Sequence, residues 1–235
     1  ARIALAGTGA DLKIDGVTTP AVTSITVHAG QRVDVTPARA GVFMYLAVAG
    51  GFAVAPVLGA LALHQRSGIG GFGGRTLRSG DLLPLTLSAP PGCDLTSTLP
   101  LPRTEGPIRV MLGPQDDHFS PEGIATLLGS GYTITAQADR MGIRLTGPKI
   151  AHDAKGYNIV SDGIATGSIQ VPGMGEPLIL LADRQTTGGY PKIATVISAD
   201  LGRLAQMRPG DAIRFIAISR ADARAALDAD ARALA

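Results

Sequence analysis

The chain has 235 residues, of which 45% are hydrophobic and 17% charged, and its formal net charge is +2. That length suits one large domain or two of ordinary size, and the apolar content can supply a core. Scattered basic residues and an aromatic content of 4% argue against a nucleic-acid-binding surface, and the single cysteine, Cys93, excludes an internal disulfide and a cysteine-rich zinc site.

The first residues, Arg2–Ala6, read as a strand rather than a signal peptide. Further strands are predicted over Ser24–Val27, Arg32–Val35, Met44–Val48 and Leu82–Leu87, each a short apolar run bounded by turn residues. Between them, Gly68-Ile-Gly-Gly-Phe-Gly-Gly-Arg75 is a glycine loop ending in a cation. Successive N–H groups with little side-chain cover can cradle an anion, with Arg75 adding charge; a plain surface loop is the alternative. Pro90 to Pro107 holds five prolines and reads as a linker, dividing the chain into domains of residues 1–104 and 105–235.

The second half continues with strands over Ile108–Leu112, Tyr132–Ala136, Gly142–Leu145, Gly167–Val171, Leu178–Leu181, Ala194–Ile197 and Ala212–Ile218. Ser120 is placed to cap a helix carrying Pro121 and Glu122 in its first turn and running to about Leu128. Asp116 and Asp117 precede it, where the helix dipole favours negative charge. A short turn over Leu201–Gln206 opens at Ala199 or Asp200, and the tail, Arg220–Leu234, has helical spacing with Ala223, Leu227 and Leu234 on one stripe. Twelve short strands and few helices predict a mainly β architecture of barrels or sandwiches. Arg78-Ser-Gly-Asp-Leu-Leu83 returns as Arg208-Pro-Gly-Asp-Ala-Ile213, a weak repeat consistent with two tandem β units. No apolar run reaches the ~18 residues that span a bilayer, so a cytoplasmic chain without membrane contact is expected.

Chemistry concentrates between residues 161 and 192. There the apolar strand Leu178–Leu181 lies between polar, glycine-rich loops longer than chain reversal requires. Asp183-Arg-Gln-Thr-Thr-Gly-Gly-Tyr-Pro-Lys192 combines an acid, two cations, an amide, two hydroxyls and a phenol, and Gly188-Gly189 permits close backbone approach. Asp139 and Arg140 sit at a turn before a strand, either as a structural pair or with Arg140 or Arg144 facing an anion. The four histidines are far apart in sequence and no metal site is expected. Neither a P-loop nor a biotin-attachment sequence occurs, so the chain carries no covalent biotin, and any ATP phosphates must be held by another device.

Several strings, in order, resemble the KipA-type carboxyltransferase subunit family, also labelled allophanate hydrolase subunit 2. They are Tyr45-Leu-Ala-Val-Ala-Gly-Gly51, Pro56-Val-Leu-Gly59, Gly74-Arg75 with Gly80-Asp81, and Gly113-Pro-Gln-Asp-Asp117. Asp139-Arg-Met-Gly-Ile-Arg-Leu145, Ser161-Asp-Gly-Ile164, Gly167-Ser-Ile-Gln-Val-Pro172 and Asp183 to Lys192 complete the set. The resemblance implies a pair of cyclophilin-like β-barrel domains and a KipI-type smaller subunit as partner. It further implies ATP-dependent 5-oxoprolinase activity, opening 5-oxoproline to glutamate with a third, LamB/YcsF-type subunit, the complex using ATP with Mg. The same resemblance extends to the carboxyltransferase domain of urea carboxylase, where carboxybiotin would carry CO2 to urea or a similar amide. A non-catalytic regulatory module is the remaining alternative.

On the enzymatic reading, Arg75, Arg140, Arg144, Arg184 and Lys192 are candidate phosphate or substrate contacts. Gln170 and Gln185 are candidates for recognising the small amide, with Thr186, Thr187, Gly188 and Gly189 lining it. Asp139, Asp162, Asp183 and Tyr190 are candidates for proton handling or positioning. Two departures from the family pattern stand out. Relatives usually carry several dozen residues ahead of the strand matching Arg2–Ala6, so the first barrel is expected to be incomplete or completed by another chain. Where the family continues Ser-Arg-Ser-Thr after Gly59, this chain has Ala60, Leu61, Ala62 and Leu63.

Overall fold

The computed structural model describes residues 1–7, 9–20, 22–89, 92–97 and 105–233. It is mainly β, as expected, and divides into two units. The first comprises Ala1–Arg39 and Met44–Thr98, and the second Ala40–Phe43 and Leu99–Ala235.

The first unit contains β1 (Arg2–Gly7), β2 (Leu12–Ile14), β3 (Val17–Thr18), β4 (Thr23–Thr26), β5 (Val33–Val35), β6 (Met44–Val48), β7 (Leu63–His64), β8 (Ile69–Gly70) and β9 (Leu95–Thr96). They pair as an open sheet β6-β1-β4-β9, a sheet β3-β2-β5 and the hairpin β7-β8. A small core of Ile3, Leu12 and Ile14 lies among them. Two sequence expectations fail here. Leu82–Leu87 forms no strand and contributes only a bridge from Leu85 to Phe52. Pro84 has no N–H to give a ladder, and Leu82 is 85% exposed. Within the predicted linker, Leu95–Thr96 pairs with β4 and so belongs to the sheet. Pro90, Pro91, Pro100 and Pro102 lie outside the described residues.

The second unit holds β10 (Ile108–Leu112), α1 (Pro121–Gly129), β11 (Gly131–Ala138), β12 (Gly142–Thr146), β13 (Asp162–Gly163), β14 (Ser168–Gln170), β15 (Leu178–Leu180), β16 (Thr187–Gly188), β17 (Lys192–Val196), α2 (Ser198–Ala205), β18 (Ala212–Ala217) and α3 (Arg220–Ala233). Seven of its strands close a barrel in the order β10-β17-β14-β15-β12-β11-β18. Closure is made by the parallel pair β10–β18, in register Ile108 with Phe215. The period-two pattern determines which side chains fill it: Ile213 and Phe215 on β18 are buried, whereas Ala212 and Arg214 are exposed. Tyr132 and Ile134 on β11, and Ile143 and Leu145 on β12, enter the same core.

Helix α1 begins as the sequence predicts. Ser120 Oγ accepts a hydrogen bond from the N–H of Gly123 at 3.1 Å, and Leu127 is fully buried. Helix α2 starts at Ser198, ahead of the predicted Leu201. Its Asp200 is drawn away from capping by a stronger partner: the carboxylate accepts from the Arg109 N–H at 2.7 Å and pairs with its guanidinium at 2.6 Å. Burial pushes the Asp200 carboxyl up, and the Arg109 hydrogen bonds more than offset this, leaving it below the usual range. No residue of α3 is buried, and Leu227 is half-exposed. Leu234 lies outside the described residues.

Candidate functional site

The sequence pattern predicts polar, glycine-rich loops on both sides of Leu178–Leu181 within residues 161–192, and residues 162–163 and 187–188 there instead pair as a ribbon on the second unit. Asp162 pairs with Gly188 and Gly163 with Thr187 as β13 and β16, and the ribbon is extended by the N–H of Ile159 donating to Gly189 O and that of Ile164 to Thr186 O. β17 follows β16 directly into the barrel wall, so the barrel fixes one end of the ribbon.

Lys192 opens β17 and is 1% exposed. An unpaired charge at that depth is costly, and the ribbon supplies acceptors. Lys192 Nζ donates to Asp162 Oδ2 at 2.9 Å and to Gly163 O at 3.1 Å. The Asp162 side chain is 53% exposed, so the pair has one buried and one solvent-facing member. The Lys192 hydrogen bond, then those from Gln115 and the Gly163 N–H, hold the Asp162 carboxyl down at about 2. Such a group is a poor general base near neutrality and a good hydrogen-bond acceptor. Gln170 is equally buried, with Nε2 donating to Tyr190 O at 3.1 Å. Its amide also crowds Gly188: a Cβ there would lie 3.0 Å from Gln170 Nε2 and 2.7 Å from Ile164 Cδ1. Gly188 is thus small because side chains converge on it.

The remaining candidates divide between the ribbon and other places. Arg184 Nε donates to Ile164 O at 2.9 Å, bracing the ribbon. Gln185 and Thr186 are exposed along the turn that leads into β16, Thr187 is exposed on β16 itself, and Tyr190 is 41% exposed. Asp139, Arg140 and Asp183 form a separate cluster. Arg140 and Asp183 make a two-pronged pair at 2.8 and 2.9 Å, and Asp139 Oδ1 accepts the N–H groups of Met141 and Gly142. Arg144 projects outward from β12 between buried Ile143 and Leu145. Arg75, in the first unit, is held by Asp81 through bonds of 2.8 Å from each terminal nitrogen, and lies 5.7 Å from the Phe72 ring centre. The glycine loop before it packs on its own backbone, since a Cβ on Gly74 would meet Gly68 O at 2.3 Å.

One site residue is missed by sequence reasoning. Gln115 donates from Nε2 to Asp162 Oδ2 at 3.0 Å. Its signal is present in the string Gly113-Pro-Gln-Asp-Asp117, where the two neighbouring carboxylates are the more conspicuous groups. Among the described residues no cluster of metal-ligating side chains occurs, and no helix is long and apolar enough to cross a membrane.

Residues 1–217 match the family model described as carboxyltransferase domain, subdomain A and B. The chain belongs to this carboxyltransferase family. It is 36% identical over 220 residues to a 5-oxoprolinase subunit of Escherichia coli, a match covering 94% of this chain and 70% of that protein. It is 38% identical over 197 residues to the like-named 5-oxoprolinase subunit of Haemophilus influenzae, covering 84% and 63%. The structure also superposes on the Kluyveromyces lactis urea carboxylase with a TM-score of 0.88 at 27% identity, covering 98% of this chain and 22% of the other. The chain therefore spans about two thirds of the 5-oxoprolinase subunits and under a quarter of the urea carboxylase. Its mainly β fold with a closed barrel is the carboxyltransferase fold of these relatives.

Proposed function

We propose that this chain is part of the larger subunit of a heteromeric, ATP-dependent amide hydrolase of the 5-oxoprolinase type. The half-exposed carboxylate of Asp162, held over the buried Lys192, carries this reading. A cyclic amide presents one N–H donor and one carbonyl acceptor. On this reading Asp162 accepts the N–H, and the exposed hydroxyls of Thr187 and Tyr190 serve the carbonyl or a carboxylate on the same ligand. Lys192 does not reach solvent, so it acts through Asp162 by holding that carboxylate in place. Arg144, exposed and outward-facing, supplies a cation for an anionic substrate or phosphate group. ATP with Mg and further subunits, of KipI and LamB/YcsF type, complete the proposed enzyme, and the small amide is its substrate.

The likeness to urea carboxylase favours a second reading, a carboxyltransferase component delivering CO2 from carboxybiotin to urea or a similar amide. Both readings use Asp162 to hold an amide N–H. Steady-state kinetics on the complex with its partner subunits separates them. Hydrolysis of ATP that depends on 5-oxoproline, and kcat/KM reduced on the order of 10²-fold by Asp162→Ala, is the expected result. Absence of 5-oxoproline-dependent turnover in the unsubstituted complex overturns the first reading. Turnover that requires a biotin carrier and bicarbonate establishes the second.

A further inference from the structure

We propose that Gln115 is the positioning residue of this site, tying the main chain of Lys192 to the carboxylate of Asp162 and thereby deciding which lone pair of Asp162 a ligand can use. The inference rests on the proposed amide-binding role of Asp162. Gln115 lies just beyond β10, on a segment that runs beside β17. Its own N–H donates to Lys192 O at 3.1 Å, and its side-chain Oε1 accepts from the Lys192 N–H at 3.2 Å. Main chain and side chain therefore both grip one residue. The carboxamide has a single chemically sensible orientation, because the Lys192 N–H can only donate and the Asp162 carboxylate can only accept. Nε2 is thus committed to Asp162 Oδ2.

A carboxylate offers about four lone-pair directions. On Asp162, Oδ2 receives both Lys192 Nζ and Gln115 Nε2, and Oδ1 receives the Gly163 N–H at 2.7 Å. One direction on Oδ1 is left. The carboxylate is half-exposed, so that direction serves a donor from outside, and a ligand N–H suits it. Without Gln115 the Oδ2 oxygen regains a lone pair, the carboxylate can rotate about its last bond, and the selectivity for a single donor at Oδ1 is lost. Lys192 is the charged group acting on this carboxylate, and Gln115 is its neutral second partner.

The carboxyl 13C resonance of Asp162, followed by NMR titration of the full chain and identified by its loss in Asp162→Asn, reads this directly. The expected midpoint is near 2 in the unsubstituted chain. It should rise by roughly half a unit or more in Gln115→Leu and by a similar amount in Gln115→Met, since neither side chain can donate to Oδ2. In the complex, both variants should lower kcat/KM for the amide and move the acid limb of its pH profile to higher pH. An Asp162 midpoint unchanged in Gln115→Leu, even with a lower melting temperature, assigns Gln115 a purely structural role and overturns the proposal. The unbranched Gln115→Met keeps the test alive if the leucine variant does not fold: no rise in its midpoint has the same force. A complex inactive on every amide, with the midpoints shifted as expected, would remove the amide reading and leave the positioning role standing.

Discussion

Two turns of the chain, Arg78–Asp81 in the first unit and Arg208–Asp211 in the second, are built alike. In each the arginine N–H donates to the aspartate Oδ2 at 2.7 Å, and the aspartate N–H returns to the arginine carbonyl at 3.1 and 3.0 Å. Gly80 and Gly210 both take a positive φ, 88° and 94°, as a turn with a left-handed third residue requires. The residues beyond the two turns behave differently. After Asp211 the chain enters β18, whose Ile213 and Phe215 alternate into the barrel. After Asp81, Leu82 and Leu85 are exposed, Pro84 interrupts the ladder, and no strand forms. The same local chemistry therefore starts a strand only where the next residues can bury one face. A turn directs the chain, and burial holds what it directs.

The largest expected effect tests that difference in burial. Phe215→Ala should lower stability by about 3–5 kcal/mol, since it empties a closed core, whereas Leu82→Ala, in the matching stretch, should change it by less than about 0.5 kcal/mol. Urea denaturation of the two variants makes the comparison, and equal losses would break it. The turns themselves should behave alike. Neither Gly80 nor Gly210 has a neighbour within 4 Å of an added Cβ, so alanine at either position should cost about 1–2 kcal/mol from the left-handed backbone alone. A much larger loss at Gly210 would mean that the turn is under constraint from β18. The smallest effect is electrostatic. The Asp81 carboxyl is held at about 2, first by the Arg75 hydrogen bond and then by the Arg78 N–H, and Asp162 is held at about 2 by Lys192 and Gln115. Both values lie below the ordinary 3.8. Their stabilising contributions are fully present above that value and fade as pH falls toward 2. Stability measured between about pH 5 and pH 2 should decline less steeply in Asp81→Asn and in Asp162→Asn than in the unsubstituted chain.

Much of the second unit is legible in the sequence. Ile108–Leu112 has the predicted bounds, and the predicted strands over Tyr132–Ala136, Gly142–Leu145 and Ala212–Ile218 all appear with small shifts at their ends. These are runs whose apolar side chains alternate or cluster between glycines, and the barrel buries what the pattern marks. The two-residue strands, Asp162–Gly163 and Thr187–Gly188 among them, are not legible. Polar and glycine residues carry no periodic signal, and Asp162–Gly163 and Thr187–Gly188 are strands only because each supplies the other's hydrogen bonds from a remote part of the sequence. Legibility of the site divides in the same way. Asp162, Gln170, Tyr190 and Lys192 are marked by the density of polar residues on glycine-rich segments. Gln115 is not, because a lone glutamine beside two aspartates is inconspicuous until the partner strand is placed next to it.

Local pattern alone establishes that the chain is mainly β, where most of the barrel strands and α1 lie, and which family it joins. Those properties follow from periodicity, turn chemistry and ordered motifs, each readable within a few residues. Long-range packing decides that Lys192 is buried while Asp162 is open, that Gln115 joins them, and that Arg140 closes on Asp183 and Arg75 on Asp81. Partner choice among charged and amide groups depends on distances of about 3 Å between segments remote in sequence. No composition or spacing carries that information until the fold brings the segments together.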